Sequence, residues 1–321
     1  MINRAFGKSG LIGLVAVLAC GFTTLSAFGQ FDLPGFGEEE AESGNSLVKM
    51  SVVLDGSAIV PGKPAMVGIR YTISPKWHIY WRNPGESGSQ TEVKLVLPAG
   101  FKAGGIQWPK PEVFKSDYDT TIGYADETML FVPVEVPLKI DGETVRIEVQ
   151  SEWLVCKGMC LFGQASKVLE VPVAQPGETV SFRREKKGSP FARFKAQVPR
   201  PLASMPGTSA SIAASPEGPV LKIEGPARRG AKIGFIPDYT PGVRYSGGIP
   251  VSAAMEDGRF QITVPLEIEP GDSLGKPLRA AGLVTLGDKK TGTSLFVELP
   301  IPPDFGTQGD NSAQNDPETD K

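Results

Sequence analysis

The run Thr144-Val145-Arg146-Ile147-Glu148-Val149-Gln150-Ser151-Glu152-Trp153-Leu154-Val155 alternates apolar and polar side chains over most of its length. No other feature constrains the fold as strongly. A period of two puts one face of a strand in a core and the other in water, whereas a helix would scatter these apolar residues around its axis. Shorter runs of related character occur at Val48–Leu54, Ala65–Ile73, Val93–Leu97, Leu130–Val136 and Val168–Val173, and again at Val220–Ile223, Phe260–Ile268 and Ser294–Leu299. Glycine (38) and proline (29) together exceed a fifth of the 321 residues. That density of turn formers suits many short strands and argues against a helical bundle. Pro133, inside one β-rich run, fits an edge or a bulge. The expected class is all-β, with two β-sandwich domains in tandem at 47–175 and 209–302. The linker at 176–208 holds one short helix near Ser189–Ala196, with Ser189 as N-cap and Pro190 at the first helical position. Its basic cluster, Arg183-Arg184-Glu185-Lys186-Lys187, reads as a solvated face rather than a docking patch.

The ends speak to compartment. Arg4 and Lys8 precede a short apolar stretch, Leu11–Ala19, and Ala27-Phe28-Gly29 suits cleavage before Gln30. Residues 1–29 read as a signal peptide. A rival reading makes Cys20 a lipid anchor. Either way the mature chain lies outside the cytoplasm, periplasmic or otherwise. Residues 30–46 read as an acidic flexible segment and 303–321 as an acidic disordered tail. No later run approaches the ~18 apolar residues of a membrane span, so membrane contact is expected only through a partner or through Cys20. The formal charge is −3, and no overall basic excess points to nucleic acid. His78 is the single histidine, which argues against His-rich metal sites and against a Ser-His-Asp mechanism unless His78 is the base.

With Cys20 in the leader or lipidated, Cys156 and Cys160 remain, an even pair in an oxidising compartment. Four residues of straight strand span ~13 Å, while a disulfide needs Cα atoms within ~7 Å. A bonded pair therefore requires a turn, for which Lys157-Gly158 is suitable, placed where two strands meet. A structural staple is the bland reading, but so short a loop removes only ~2 kcal/mol of unfolded-state entropy. A tight loop suits exchange, and Lys157 favours a neighbouring thiolate. Spacing alone leaves staple and exchange both open. Soft ligands at Cys156, Met159 and Cys160, with His78 as a fourth, give a Cu(I) alternative. Against that alternative, Met159 also fits an apolar contact surface and His78 an aromatic-rich, half-buried strand. The second domain, with no cysteine or histidine, reads as scaffold.

The stretch Trp77-His78-Ile79-Tyr80-Trp81-Arg82-Asn83-Pro84-Gly85-Glu86-Ser87-Gly88 resembles the W-x-x-Y-W-R-N-P-G-x-S-G run of the DsbD-like thiol:disulfide interchange family, in particular the branch containing suppressor of copper sensitivity protein B. Gly105–Pro111, Ile122-Gly123-Tyr124, Trp153–Cys160 and Gly234–Gly242 agree with that branch in order. The resemblance implies immunoglobulin-like β-sandwiches and a Cys156/Cys160 pair that relays electrons with no cofactor beyond its own disulfide. It implies Cys160 as the sulfur bonded to the downstream partner and Cys156 as the resolving thiol. It also implies a cap loop over the pair at Val113–Tyr124, with Phe114, Tyr118 and Tyr124 as cap candidates and Asp117 and Asp119 as nearby acids. The expected partners are a separate membrane thiol reductase and a periplasmic thioredoxin-like protein. The C-x3-C spacing departs from the C-x5-C of the best-known members. The remaining alternative is a non-catalytic β-sandwich interaction protein with a structural disulfide.

Overall fold

The structure is a computed structural model that describes residues 43–228, 230–269, 277–287 and 292–305. The leader, Cys20 and most of the acidic tail lie outside the described residues. Ten strands build the first sandwich: β1 (Val48–Leu54), β2 (Ala65–Ile73), β3 (His78–Gly85), β4 (Glu92–Val96), β5 (Lys102–Ala103), β6 (Glu112–Lys115), β7 (Thr120–Ala125), β8 (Glu127–Glu135), β9 (Thr144–Cys156) and β10 (Cys160–Pro172). One sheet has the order β1-β2-β8-β5. The other runs β10-β9-β3-β7-β6, with β4 pairing the outer part of β9.

The alternation of Thr144–Val155 is borne out in β9. Val145, Ile147, Val149, Trp153 and Val155 point into the core, and the residues between them are exposed or half-buried. Ser151 is the polar exception on this inner face. Its hydroxyl meets Tyr71 Oη at 2.7 Å and donates to the Glu92 carbonyl at 2.7 Å, which removes the cost of burying it. Glu127–Glu135 behaves differently, because β8 is buried on both faces. Leu130, Val132 and Val134 enter the sandwich core, while Met129 and Phe131 pack outward against Phe191 and Phe194. A linker helix, α2 (Pro190–Lys195), supplies those two rings. Each buried ring contributes roughly 2 kcal/mol. The expected cap is present, with Ser189 Oγ accepting from Ala192 N at 3.1 Å. Pro133 faces the two-residue strand β5, where its carbonyl accepts from Gly104 N; a proline is tolerated beside so short an edge strand.

The linker's basic cluster is not purely a solvated face. Arg184 Nη1 lies 2.6 Å from the carboxylate of Asp55, whose side chain is buried, and Arg183 Nε donates to the Leu54 carbonyl at 2.9 Å. These contacts fasten the linker to the first sandwich. A short helix, α1 (Gly44–Leu47), occupies the end of the stretch read as flexible. It packs on β10, and its Gly44 carbonyl accepts from Trp153 Nε1 at 3.3 Å.

The second sandwich comprises β11 (Arg200–Pro201), β12 (Ser209–Ser215), β13 (Gly218–Pro226), β14 (Ile233–Pro237), β15 (Val243–Tyr245), β16 (Val251–Ser252), β17 (Ala254–Glu256), β18 (Arg259–Ile268), β19 (Arg279–Leu286) and β20 (Thr293–Pro300). Its sheets are β11-β20-β19-β14-β16 and β12-β13-β18-β15, with β17 also on β18. Phe235 and Val284 fill its own core, whereas their neighbours Ile236 and Leu283 turn the other way into the core of the first sandwich. The architecture is thus two immunoglobulin-like sandwiches in tandem. Among the described residues, no helix is long and apolar enough to cross a membrane.

Candidate functional site

Cys156 closes β9 and Cys160 opens β10, and the two are cross-strand partners at the tip of the hairpin. Their Cα atoms are 4.2 Å apart and the sulfurs are bonded at 2.04 Å. The connection is Lys157-Gly158-Met159, closed by Lys157 N donating to the Met159 carbonyl at 3.0 Å. Gly158 sits at φ 107°, a conformation that L side chains rarely adopt. The turn demanded by the four-residue spacing is therefore this hairpin. Burial divides the pair sharply: Cys156 is 4% exposed, whereas Cys160 is solvent-exposed.

On its other side Cys156 lies in register with His78 of β3. His78 and Tyr80 are two residues apart on that strand, so they share the face away from the core. Tyr80 Oη stands 3.7 Å from Cys160 Sγ, a distance consistent with a weak hydroxyl–sulfur hydrogen bond. Burial, and after it the Asp119 carboxylate, push the Tyr80 phenol above its ordinary pKa, so its hydroxyl keeps its proton at neutral pH. Gly88 allows the following turn to lie against the Tyr80 ring, because a Cβ at this position would come within 2.3 Å of it.

A loop between β6 and β7 reaches over the same region. Asp119 is its anchor. Ser116 Oγ donates to Asp119 Oδ1 at 2.6 Å and accepts from Asp119 N at 3.0 Å, and Ser87 Oγ donates to Asp119 Oδ2. Hydrogen bonds from Ser116 and then Ser87 hold the Asp119 carboxyl below the usual carboxylate range. Glu86 and Thr120 bond reciprocally, through Glu86 N to the Thr120 carbonyl at 2.9 Å and Thr120 N to Glu86 Oε2 at 2.7 Å. Phe114 stacks on the His78 ring with centroids 4.6 Å apart. His78 Nε2 lies 3.3 Å from Thr121 Oγ1. Burial lowers the His78 pKa, and Asp119 opposes this more weakly.

Several of the sequence-derived candidates converge here. Cys156, Cys160, Phe114, Asp117, Tyr118 and Asp119 line one cavity of about 650 Å³, together with His78 and Tyr80. Tyr118 is 97% exposed at the loop tip. Tyr124 lies elsewhere. It is buried beneath the sheet and donates to the Pro109 carbonyl at 2.8 Å, and its phenol is pushed far up by burial. Lys157 and Met159 project into solvent from the hairpin turn, Met159 being 64% exposed. Among the described residues, no three or more His, Cys, Asp or Glu side chains are grouped so as to hold a metal ion. Residue-by-residue reading missed Tyr80, Ser87 and Thr121. The signal for Tyr80 was available, since it lies two positions beyond His78 on an expected strand.

The Trp77–Gly88 stretch divides its work among three places. His78 and Tyr80 face the cysteines, and Glu86 and Ser87 hold the loop. Arg82 and Asn83 bind the second sandwich: Arg82 Nη2 lies 2.5 Å from Asp238 Oδ2, and Asn83 Nδ2 donates to the Pro237 carbonyl at 2.8 Å. The Arg82 guanidinium also lies 5.1 Å from the ring centres of Trp81 and Phe296. Desolvation raises the Asp238 pKa even though Arg82 opposes it.

Residues 47–172 match the family model described as thiol:disulfide interchange protein DsbD, N-terminal. The N-terminal periplasmic domain of ScsB from Proteus mirabilis has a similar fold. It aligns at TM-score 0.52 and 17% identity over 80% of this chain and 95% of that one. The major pilin subunit BcpA of Bacillus cereus aligns at TM-score 0.24 and 11% identity, over 80% of this chain and 68% of the other. No curated protein matches by sequence.

Proposed function

We propose, because residues 47–172 match the family model described as thiol:disulfide interchange protein DsbD, N-terminal, that the chain is an extracytoplasmic electron relay working through Cys156 and Cys160. The observation that carries this reading is the asymmetry of the pair, one cysteine exposed and its partner buried. In the reducing direction, the Cys160 thiolate attacks a partner disulfide and a mixed disulfide forms as the partner's second sulfur leaves as thiolate. The Cys156 thiolate then attacks Cys160 Sγ, restoring the internal disulfide and releasing the reduced partner. Two electrons pass to the partner, whose two sulfurs take up two protons. A membrane thiol reductase returns the electrons by attack on the exposed Cys160 sulfur, and a periplasmic thioredoxin-like protein receives them. Strand β6, which carries Phe114, and the loop that follows it shield the pair between dockings, and the second sandwich acts as scaffold. Export through the 1–29 leader places the relay in the compartment where such exchange occurs.

Trapping tests the roles. Cys156→Ala keeps the attacking sulfur and removes the resolving one, so it accumulates a mixed disulfide with an extracytoplasmic protein, while Cys160→Ala accumulates little. Adducts formed only through Cys156 would reverse the assignment. Absence of adducts from both variants, with tight Cu(I) binding by the reduced wild type, would replace exchange by copper handling.

A further inference from the structure

A second cavity, of about 510 Å³, opens where the two sandwiches and the linker meet, and it shares no lining residue with the cavity over the cysteines. Its walls are largely apolar, with Trp81, Trp108, Leu283 and Phe296 among them. Among the described residues, the charged ones that line it are Arg82, Lys195 and Arg200, with no carboxylate. Arg82 is engaged by Asp238. The other two cations are not matched in this way. The Lys195 ammonium bonds the neutral side-chain oxygen of Gln107 and stands 5.3 Å from the Phe131 ring centre. Desolvation lowers its pKa, opposed more weakly by the Asp55 carboxylate, as for a cation partly withdrawn from water. Arg200 is exposed and forms no ion pair among the described residues.

Size, position and charge agree. Ligand sites commonly occupy ~300–1,000 Å³, lie at domain junctions and combine apolar walls with few polar groups. An aromatic wall takes a flat apolar body, and a partly desolvated cation such as Lys195 gains from a charge-assisted hydrogen bond to an anion. We propose that this junctional cavity binds a small organic carboxylate with a flat apolar body, the carboxylate met by Lys195 and Arg200 and the body set against Trp108 and Phe296. The site is independent of the exchange chemistry. Because its walls come from both sandwiches and the linker, its occupant also bridges the two halves of the molecule.

Isothermal titration of the full chain with 2-naphthylacetate, and with the neutral 2-naphthylacetamide as control, tests this. The carboxylate should bind saturably at one site, at least about tenfold more tightly than the amide. Lys195→Gln and Arg200→Gln should each weaken the carboxylate by about fivefold and leave the amide unchanged. No saturable binding of either probe, equal affinity for the two, or a Lys195→Gln/Arg200→Gln double variant that binds the carboxylate like wild type would each overturn the proposal.

Discussion

Tyr80→Phe removes one oxygen atom from the site and keeps the ring against which Gly88 packs. That hydroxyl stands 3.7 Å from the Cys160 sulfur in the disulfide form, placed to donate to the Cys160 thiolate once the pair is reduced. Hydrogen bonds to charged acceptors are worth about 1.5–3 kcal/mol. At so long a distance, and with Cys160 in contact with solvent, about 1 kcal/mol is the appropriate size. Division by 1.36 kcal/mol per unit raises the Cys160 pKa in the variant by ~0.7. Below the pKa this cuts the thiolate fraction about fivefold, and the greater intrinsic nucleophilicity of the more basic thiolate restores about twofold. The net expectation at pH 7 is alkylation slowed by about 2.5-fold. The assay is the pH dependence of iodoacetamide alkylation in a Cys156→Ala background beginning at Gln30, where Cys160 is the sole thiol. A midpoint that stays in place, or moves down, would refute the donor role of Tyr80.

Other perturbations separate shielding from structure. Phe114→Ala removes the ring stacked on His78, so Cys160 in the reduced protein should alkylate severalfold faster at nearly unchanged melting temperature. Tyr124→Ala should act on stability instead, by about 3 kcal/mol or more in denaturant unfolding, because it empties a buried site and orphans the Pro109 carbonyl. Asp238→Asn tests the junction by its pH dependence. Desolvation raises the folded-state pKa of Asp238 above its unfolded value, so folding favours the protonated carboxyl. Its contribution is full below the unfolded pKa of ~3.9 and declines as pH rises through the folded value. Unfolding free energies should therefore shift in favour of the variant between pH 4 and pH 7. A shift in favour of wild type would make Arg82–Asp238 a net stabilising bridge at neutral pH.

How much of this was legible in the sequence depends on whether the determinant was local. Alternation in β9 declared its inner face because water lies on one side and core on the other. The Ser189 cap and Pro190 declared a short helix near Ser189–Ala196, which the structure places at Pro190–Lys195. β8 was recognised as a strand, but its unbroken apolar run did not reveal its outer neighbour, since Phe191 and Phe194 lie some sixty residues away. The same limit applies to Asp55, which looks like a surface acid until Arg184 reaches it from the linker. In the site, the turn at Gly158 followed from the geometry of a disulfide closed over four residues. The separation of Tyr124 from Phe114 did not. Both belong to one aromatic-rich stretch, and only the pairing of β6 with β7 decides that one ring faces the cysteines while the other lies beneath the sheet. Arg82 and Asn83 adjoin the site in sequence yet serve the domain junction, because only the tertiary fold brings Pro237 and Asp238 to them.

The relay reading stands on a disulfide that cycles. The direct measurement is the redox equilibrium of the Cys156/Cys160 pair. The protein is equilibrated in thiol buffers of graded potential, its free thiols are blocked, and the reduced and oxidised forms are counted by mass spectrometry. A relay predicts a half-reduced point at a potential above about −300 mV, within reach of thiol reductants. A pair that stays bonded well below about −300 mV would be a structural staple, and the relay account would fail.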